Sequence, residues 1–336
     1  MKKVLVSGYI GFDNFGDEAI FYALNCHLQG LGFEVEALCN NPNNLSKNYN
    51  IKAYYFKNPF QILKAILNCD VLYSGGGSLL QNKTSNFSLY YYLFIILLAK
   101  IFNKKVIIFS QGIEPIQGKI HEFFMKTVLK KVDYITVRDK KSLKYLKTLN
   151  LKADLTSDPV YSLVENCKIL NSKEGLIIQL RDFKGFNKAF LDDLSNCLKS
   201  YKGEIKVLSL QNKQDEEICK TFVEILNSKG YKAKYIPFYS IERIFELINE
   251  AKYVISTRLH GVILANALKS KTFALIYDDK VKTLADELNI QNIDLRNYNQ
   301  NELFVKLSDF FNKEREILPY RKFDWSLTDL KLLKRK

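Results

Sequence analysis

The stretch 254-VISTRLHGVILANAL-268 decides the fold. An apolar run of strand character stops at Thr257, Arg258, Leu259 and His260 follow, and apolar residues then continue at helical spacing. Strand, polar turn and helix in that order make one βα unit. In an open α/β sheet the C-terminal edge of such a strand is where ligands bind. One of the chain's three histidines stands there beside an arginine.

The same alternation extends in both directions. Apolar runs read as strands at 3–7, 34–38, 70–74, 105–110 and 134–138, and again at 175–180, 205–210, 232–236, 252–256 and 272–277. Stretches of helical period separate them, such as 120-IHEFFMKTVLKK-131 and 241-IERIFELINEAK-252. Apolar strands separated by helices predict parallel sheets covered on both faces. Two series predict an α/β protein of two Rossmann-like domains facing a cleft, and 336 residues suit two cores. The polar, aperiodic segment 158-DPVYSLVENCKILNSKEG-175 marks the boundary. The expected organisation is an N-terminal domain over 1–165, a C-terminal domain over 166–315, and a tail over 316–336 that packs back on the first domain.

Composition narrows the function classes. With 47% apolar and 26% charged residues the chain reads as a soluble globular protein. A formal charge of +14 favours anionic partners, whether phosphorylated substrates, lipid headgroups or nucleic acid. Most single lysines read as solvated surface. No nucleic-acid motif appears and the aromatic residues follow core periodicities, so no nucleic-acid partner is expected. The six cysteines show neither CxxC pairs nor zinc spacing and read as small core residues of a reducing compartment. No carboxylate cluster asks for a metal. The opening MKKVLVSGYIGF has too brief an apolar run for a signal peptide, so a cytoplasmic location is expected. The run 89-LYYYLFIILLAKIF-102 is too short to span a bilayer and reads as a buried helix, with an interfacial helix as the alternative.

Four segments offer chemistry. In 7-SGYIGFDNFGDEAI-20 the glycines miss the dinucleotide spacing, and Asp17 and Glu18 fall at a helix start, where acids favour the helix dipole and repel phosphate. Two readings stay open: helix capping, or binding of sugar hydroxyls by Asp13, Asn14, Asp17 and Glu18. In 74-SGGGSLLQNKTS-85, Gly75, Gly76 and Gly77 allow close approach of an anion to backbone N–H groups, or form a tight turn. Arg138 ends a strand and can meet an anion, Asp139 or a helix end. Arg258 and His260 share a side if the chain is still extended there, with Lys280 at the matching edge of the next strand. Together the three make a cationic site with one group able to move a proton.

The ordered set GYIGFDNFGDEAI, SGGGSLLQNKTSNFSLYYYL, SQGIEPI, ITVRDKKS, SDPV, STRLHGVILA and YDDKV resembles the polysaccharide pyruvyl transferase family, in particular its CsaB-type members. Glu114 in GIEPI stands where the family commonly has glycine. The resemblance implies a fold like the two-Rossmann (GT-B) glycosyltransferases. It implies transfer of pyruvate from phosphoenolpyruvate to a sugar diol as a ketal, with phosphoenolpyruvate a co-substrate and no other cofactor. It also implies a lipid-linked saccharide acceptor, typically N-acetylmannosamine in a secondary cell-wall polymer precursor, met at the anionic inner face of the cell membrane. On this reading Arg138, Arg258, Lys280 and Gly75–Gly77 hold the donor. His260 is the general acid with Arg258 beside it, and Asp13, Asn14, Asp17 and Glu18 hold the acceptor. The main rival is a glycosyltransferase with a nucleotide-sugar donor, which would have the same fold. A second is a non-catalytic anion-binding protein.

Overall fold

The computed structural model describes residues 2–83, 85–165, 167–183, 186–313 and 318–333. They fall into two compact units. The first holds the chain up to Phe12, Asp17–Leu163 and the tail from Lys322, while the second holds Asp13–Gly16 and Val164–Arg321.

In chain order the first unit runs β1 (Lys3–Ser7), α1 (Phe15–Gly30, its first two residues counted with the second unit), β2 (Glu34–Cys39), α2 (Pro42–Tyr49), β3 (Lys52–Tyr55), α3 (Pro59–Asn68) and β4 (Val71–Ser74). It continues with α4 (Asn86–Ile101), β5 (Lys105–Gln111), α5 (Lys119–Leu129), β6 (Tyr134–Val137), α6 (Lys140–Thr148), β7 (Asp154–Leu155) and α7 (Val160–Val164). The strands form one parallel sheet in the order β3-β2-β1-β4-β5-β6-β7. The order reverses between β1 and β4, which pair in register from Val4 on Val71 to Ser7 on Ser74. Such a switch point opens a crevice at the C-terminal ends of the two strands, under the loops that begin at Ser7 and Ser74.

The second unit runs β8 (Leu176–Gln179), α8 (Ala189–Cys197), β9 (Ile205–Leu208), α9 (Asn212–Ser228), β10 (Ala233–Ile236) and α10 (Ile241–Glu250). Then come β11 (Tyr253–Ser256), α11 (Leu259–Ala267), β12 (Lys271–Ile276), α12 (Asp279–Glu287), β13 (Gln291–Asp294) and α13 (Gln300–Asn312). This sheet is also parallel, in the order β10-β9-β8-β11-β12-β13. Its switch point lies between β8 and β11. The opening strand–turn–helix therefore sits at the position where this topology collects ligands.

Each core follows from sequence. Strands β1, β4, β5, β8 and β12 are buried almost end to end, as central parallel strands must be. Helix α11 is buried on every side from Gly261 to Ala267, which explains why its apolar pattern has no polar face. Helix α10 is amphipathic and starts on Ser240, whose side chain accepts the Arg243 amide. Three strands escape sequence reading: β3, β7 and β13. They lie at sheet edges and carry polar or half-exposed residues, so their apolar signal is weak.

The tail ends in α14 (Ser326–Leu333). Just before it Trp325 stacks on the His27 ring of α1 at 3.8 Å, and Asp329 meets His27 Nε2 at 2.7 Å. Burial raises the thiols of Cys39, Cys69 and Cys219 to about 12, so they stay protonated and packed. Cys26 departs from the expected core role and is exposed. Among the described residues no helix is long and apolar enough to cross a membrane.

Candidate active site

In the second unit the site is built around Arg258. It ends the turn after β11 in extended conformation and precedes the first residue of α11. Its Nε and Nη2 donate to the two oxygens of Asp215 at 2.7 and 2.6 Å, and Nη2 also reaches Gln211 Oε1 at 3.1 Å. Asp215, fully buried in the first turn of α9, further accepts the amides of Leu210 and Gln211 at 3.1 and 3.0 Å. Gln179 at the end of β8 gathers the turn: its Oε1 accepts from the Arg258 amide, Ser256 Oγ and Thr257 Oγ1. A planar fork held by a bidentate carboxylate has little rotational freedom, so the guanidinium is pre-positioned.

His260 differs from its sequence expectation. Because α11 already starts at Leu259, the chain is no longer extended, and the period of two that would align His260 with Arg258 does not apply. The half-buried His260 ring instead lies against Gly16. A Cβ added at Gly16 would stand 1.9 Å from Nδ1, so only glycine leaves room for the imidazole. Gly16 belongs to the short segment Asp13–Gly16, which is packed as part of this second unit. Phe15 anchors it: the ring is fully buried edge-on to Phe238, and its amide donates to the Leu210 carbonyl at 2.9 Å. Asn14 accepts the Gly16 amide at 3.2 Å, and the exposed Asp13 has a φ of 56°. Asn14 thus caps α1, while Asp13 remains turned to solvent.

Lys280 stands in the first turn of α12, just beyond β12, with its amide capped by Asp278. Sequence reading missed Arg181, which follows β8 and donates to the Tyr277 hydroxyl at 2.8 Å. Burial raises the Tyr277 phenol to about 12, which keeps it neutral. Arg181, Arg258 and Lys280 therefore follow the C-terminal ends of three adjacent strands, β8, β11 and β12. Asp215 and Gln211 were also missed, for they precede and begin a helix that is distant in sequence.

In the first unit the loops at its own switch point are tightly built. The Gly75 amide donates to the Ser7 carbonyl at 2.7 Å, so it is not left for an anion as expected. A Cβ on Gly76 would stand 2.7 Å from Ile20, and one on Gly77, whose φ is +89°, would stand 2.6 Å from Asp17 Oδ1. The glycines are thus needed to seat α1 on the sheet. Gly77→Ala is expected to destabilise the protein by ~1–3 kcal/mol through backbone strain and displacement of Asp17. Urea denaturation measures this, and an unchanged midpoint would refute it.

Glu18 also departs from its expected acceptor role. It is buried, and its Oε1 accepts the amides of Gly11 and Phe12 at 2.7 and 3.2 Å, closing the first loop. Arg138 pairs with Asp158 at 2.9 Å and donates to Ser78 Oγ at 3.2 Å, with both members of the ion pair nearly buried. Its partner is therefore neither Asp139, which caps α6 through the Ser142 amide, nor a helix end. Gly112 makes the space for Arg138, since a Cβ there would lie 2.9 Å from Nε. Glu114 is ion-paired with Lys83. Beside the first loop Tyr9 stacks on Phe12 at 4.0 Å, and Phe12 meets Phe56 edge-on. This apolar platform had no periodic signal in sequence.

A family model described as polysaccharide pyruvyl transferase matches residues 14–279. Among curated proteins none matches the sequence. Among solved structures, UDP-GlcNAc 2-epimerase from Methanocaldococcus jannaschii is similar with a TM-score of 0.66 at 12% identity, over 99% of each chain. MnaA from S. aureus, solved with UDP, has a TM-score of 0.64 at 11% identity, covering 94% of this chain and 89% of its own. MurG from Acinetobacter baumannii has a TM-score of 0.52 at 14% identity over 99% of both chains. At such identities the likeness is one of fold, the GT-B class of two parallel α/β sheets.

Proposed function

The chain belongs to the polysaccharide pyruvyl transferase family, and we propose that its own reaction moves the pyruvyl group of phosphoenolpyruvate onto a sugar diol as a ketal. The observation that carries the reading is the pre-positioned Arg258 and, in the first turn of the helix it precedes, a histidine seated on Gly16, at the switch point of a sheet whose adjacent strand ends add Arg181 and Lys280. A small substrate with a carboxylate and a phosphate needs several fixed cations. Arg258 offers Nη1 to the donor anion, since Nε and Nη2 are held by Asp215. Lys280 and Arg181 are the other donor cations. Arg138, with its internal carboxylate partner, is assigned to ordering the Gly75–Gly77 loop as much as to donor contact.

In the proposed reaction His260 protonates the methylene carbon. One acceptor hydroxyl then attacks C2, the C–O bond to phosphate breaks, and the second hydroxyl closes the ketal. The two hydroxyls release two protons: one replaces that given to the methyl carbon and the other leaves with phosphate, so the balance closes. Placed proton transfer contributes roughly two to four powers of ten. The acceptor is assigned as a lipid-linked saccharide, with N-acetylmannosamine as the first sugar to try. Asp13, Asn14 and Asp17 are the polar groups offered to it, and the Tyr9–Phe12 stack is an apolar one. Glu18 acts through the loop it closes.

The test is the melting temperature with phosphoenolpyruvate and, separately, with a panel of uridine nucleotide-sugars. At a hundredfold excess over Kd a ligand that binds only the native state stabilises it by about 2.7 kcal/mol, a rise of several degrees. The expected rise occurs with phosphoenolpyruvate and shrinks in Lys280→Ala. A rise only with a nucleotide-sugar would overturn the reading in favour of a glycosyltransferase.

A further inference from the structure

We infer that the outer face of α4 and α5 is a docking surface for an anionic lipid bilayer. On α4, Phe87, Tyr90 and Phe94 recur at helical spacing and are 73, 38 and 52% exposed. On α5, Ile120, Phe123 and Phe124 are 69, 64 and 47% exposed. The two rows form one surface, because the Tyr90 ring meets Phe124 edge-on at 6.0 Å and its hydroxyl meets His121 Nδ1 at 2.7 Å. Solvated faces of α/β proteins carry single apolar residues; a contiguous aromatic face marks a binding surface.

Charge selects the occupant. From residue 83 to 131 the chain carries eight lysines and two acids. Both acids are engaged within the protein: Glu114 pairs with Lys83, and Glu122 accepts the Tyr145 hydroxyl at 2.7 Å. Lys119, Lys130 and Lys131 are exposed beside the aromatic face. Aromatic side chains with lysines at their margin suit the headgroup boundary, where rings enter the acyl edge and ammonium groups meet phosphate. The inference deepens the lipid-linked acceptor in the proposed function and rests on it for its purpose, since such an acceptor is met at a bilayer. On this inference both readings of residues 89–102 apply to α4, with one side in the core and the other offered to lipid.

The experiment is co-sedimentation with vesicles of phosphatidylglycerol and phosphatidylcholine, with phosphatidylcholine vesicles as control. Neither phosphoenolpyruvate nor a sugar is present, so binding can fail while the transfer reading stands, and the reverse. The protein is expected to sediment with the anionic vesicles and to be released as salt rises. Phe94→Ser combined with Phe123→Ser is expected to lower partitioning at least about tenfold with an unchanged melting temperature. Lys119→Glu combined with Lys130→Glu, which keeps the aromatic face, is expected to lower it about tenfold as well. Equal partitioning of either variant and the parent, equal binding to phosphatidylcholine alone, or no binding by the parent would overturn the inference. A dimer in sedimentation velocity that Phe94→Ser with Phe123→Ser breaks, without vesicle binding, would assign the face to a second copy instead.

Discussion

Gly16→Ala is expected to lower the transfer rate about a hundredfold without unfolding the protein. The new methyl carbon would stand 1.9 Å from His260 Nδ1, far inside contact distance. The backbone at residue 16 cannot yield easily, because Phe15 is locked by its buried ring and by the Leu210 carbonyl, and Asn14 caps the same turn. The imidazole must therefore move. A displacement of about 1 Å at a reacting group costs about a hundredfold in rate. His260→Ala removes the proton donor and is expected to cost ~10²–10⁴-fold. Single-turnover rates with phosphoenolpyruvate and a synthetic diol acceptor make the comparison, with circular dichroism as the check on folding. A Gly16→Ala enzyme with the parent rate would remove His260 from the chemistry.

The second large effect is on stability. Asp215→Ala is expected to destabilise the native state by ~3–5 kcal/mol, the typical cost of leaving one member of a buried ion pair alone. Arg258 would lose both bidentate bonds, and the amides of Leu210 and Gln211 would lose their acceptor. Asp215→Asn keeps the shape and one acceptor and is expected to cost less. Replacing the pair together, Asp215→Leu with Arg258→Met, is expected to recover most of the stability while abolishing donor binding. Urea denaturation gives the first quantity and melting shifts with phosphoenolpyruvate the second. If the double variant still bound phosphoenolpyruvate as the parent does, Arg258 would be only a structural residue.

The candidate site was legible to different depths. Arg258, His260 and Lys280 could be found because each follows an apolar strand directly, and in parallel sheets that position is the binding edge. Their partners could not. Asp215 is 43 residues before Arg258 in the chain, in an unremarkable helical stretch, and only the fold, which packs α9 against β9 and β10, brings it to the guanidinium. Asp158 stood in the quoted SDPV, yet nothing local indicated that it faces Arg138. For Glu18 the sequence leaves capping and acceptor binding open, and the structure adds that its oxygen is bonded to the amides of its own loop.

What the sequence determined by itself was the class of fold and the edge on which to look. The alternation of short apolar runs with helical period is local, and strands buried on both faces with helices between them fit a covered parallel sheet. The edge strands β3, β7 and β13 lacked that signal because they are short and their residues are polar or half-exposed. Only the tertiary structure decided which polar groups meet. It showed the Gly75 amide bonded to Ser7, counted Asp13–Gly16 with the second unit, and set the glycine at 16 beneath the histidine at 260. Such pairings depend on long-range packing between segments that share no periodicity, and a one-dimensional pattern carries no record of them.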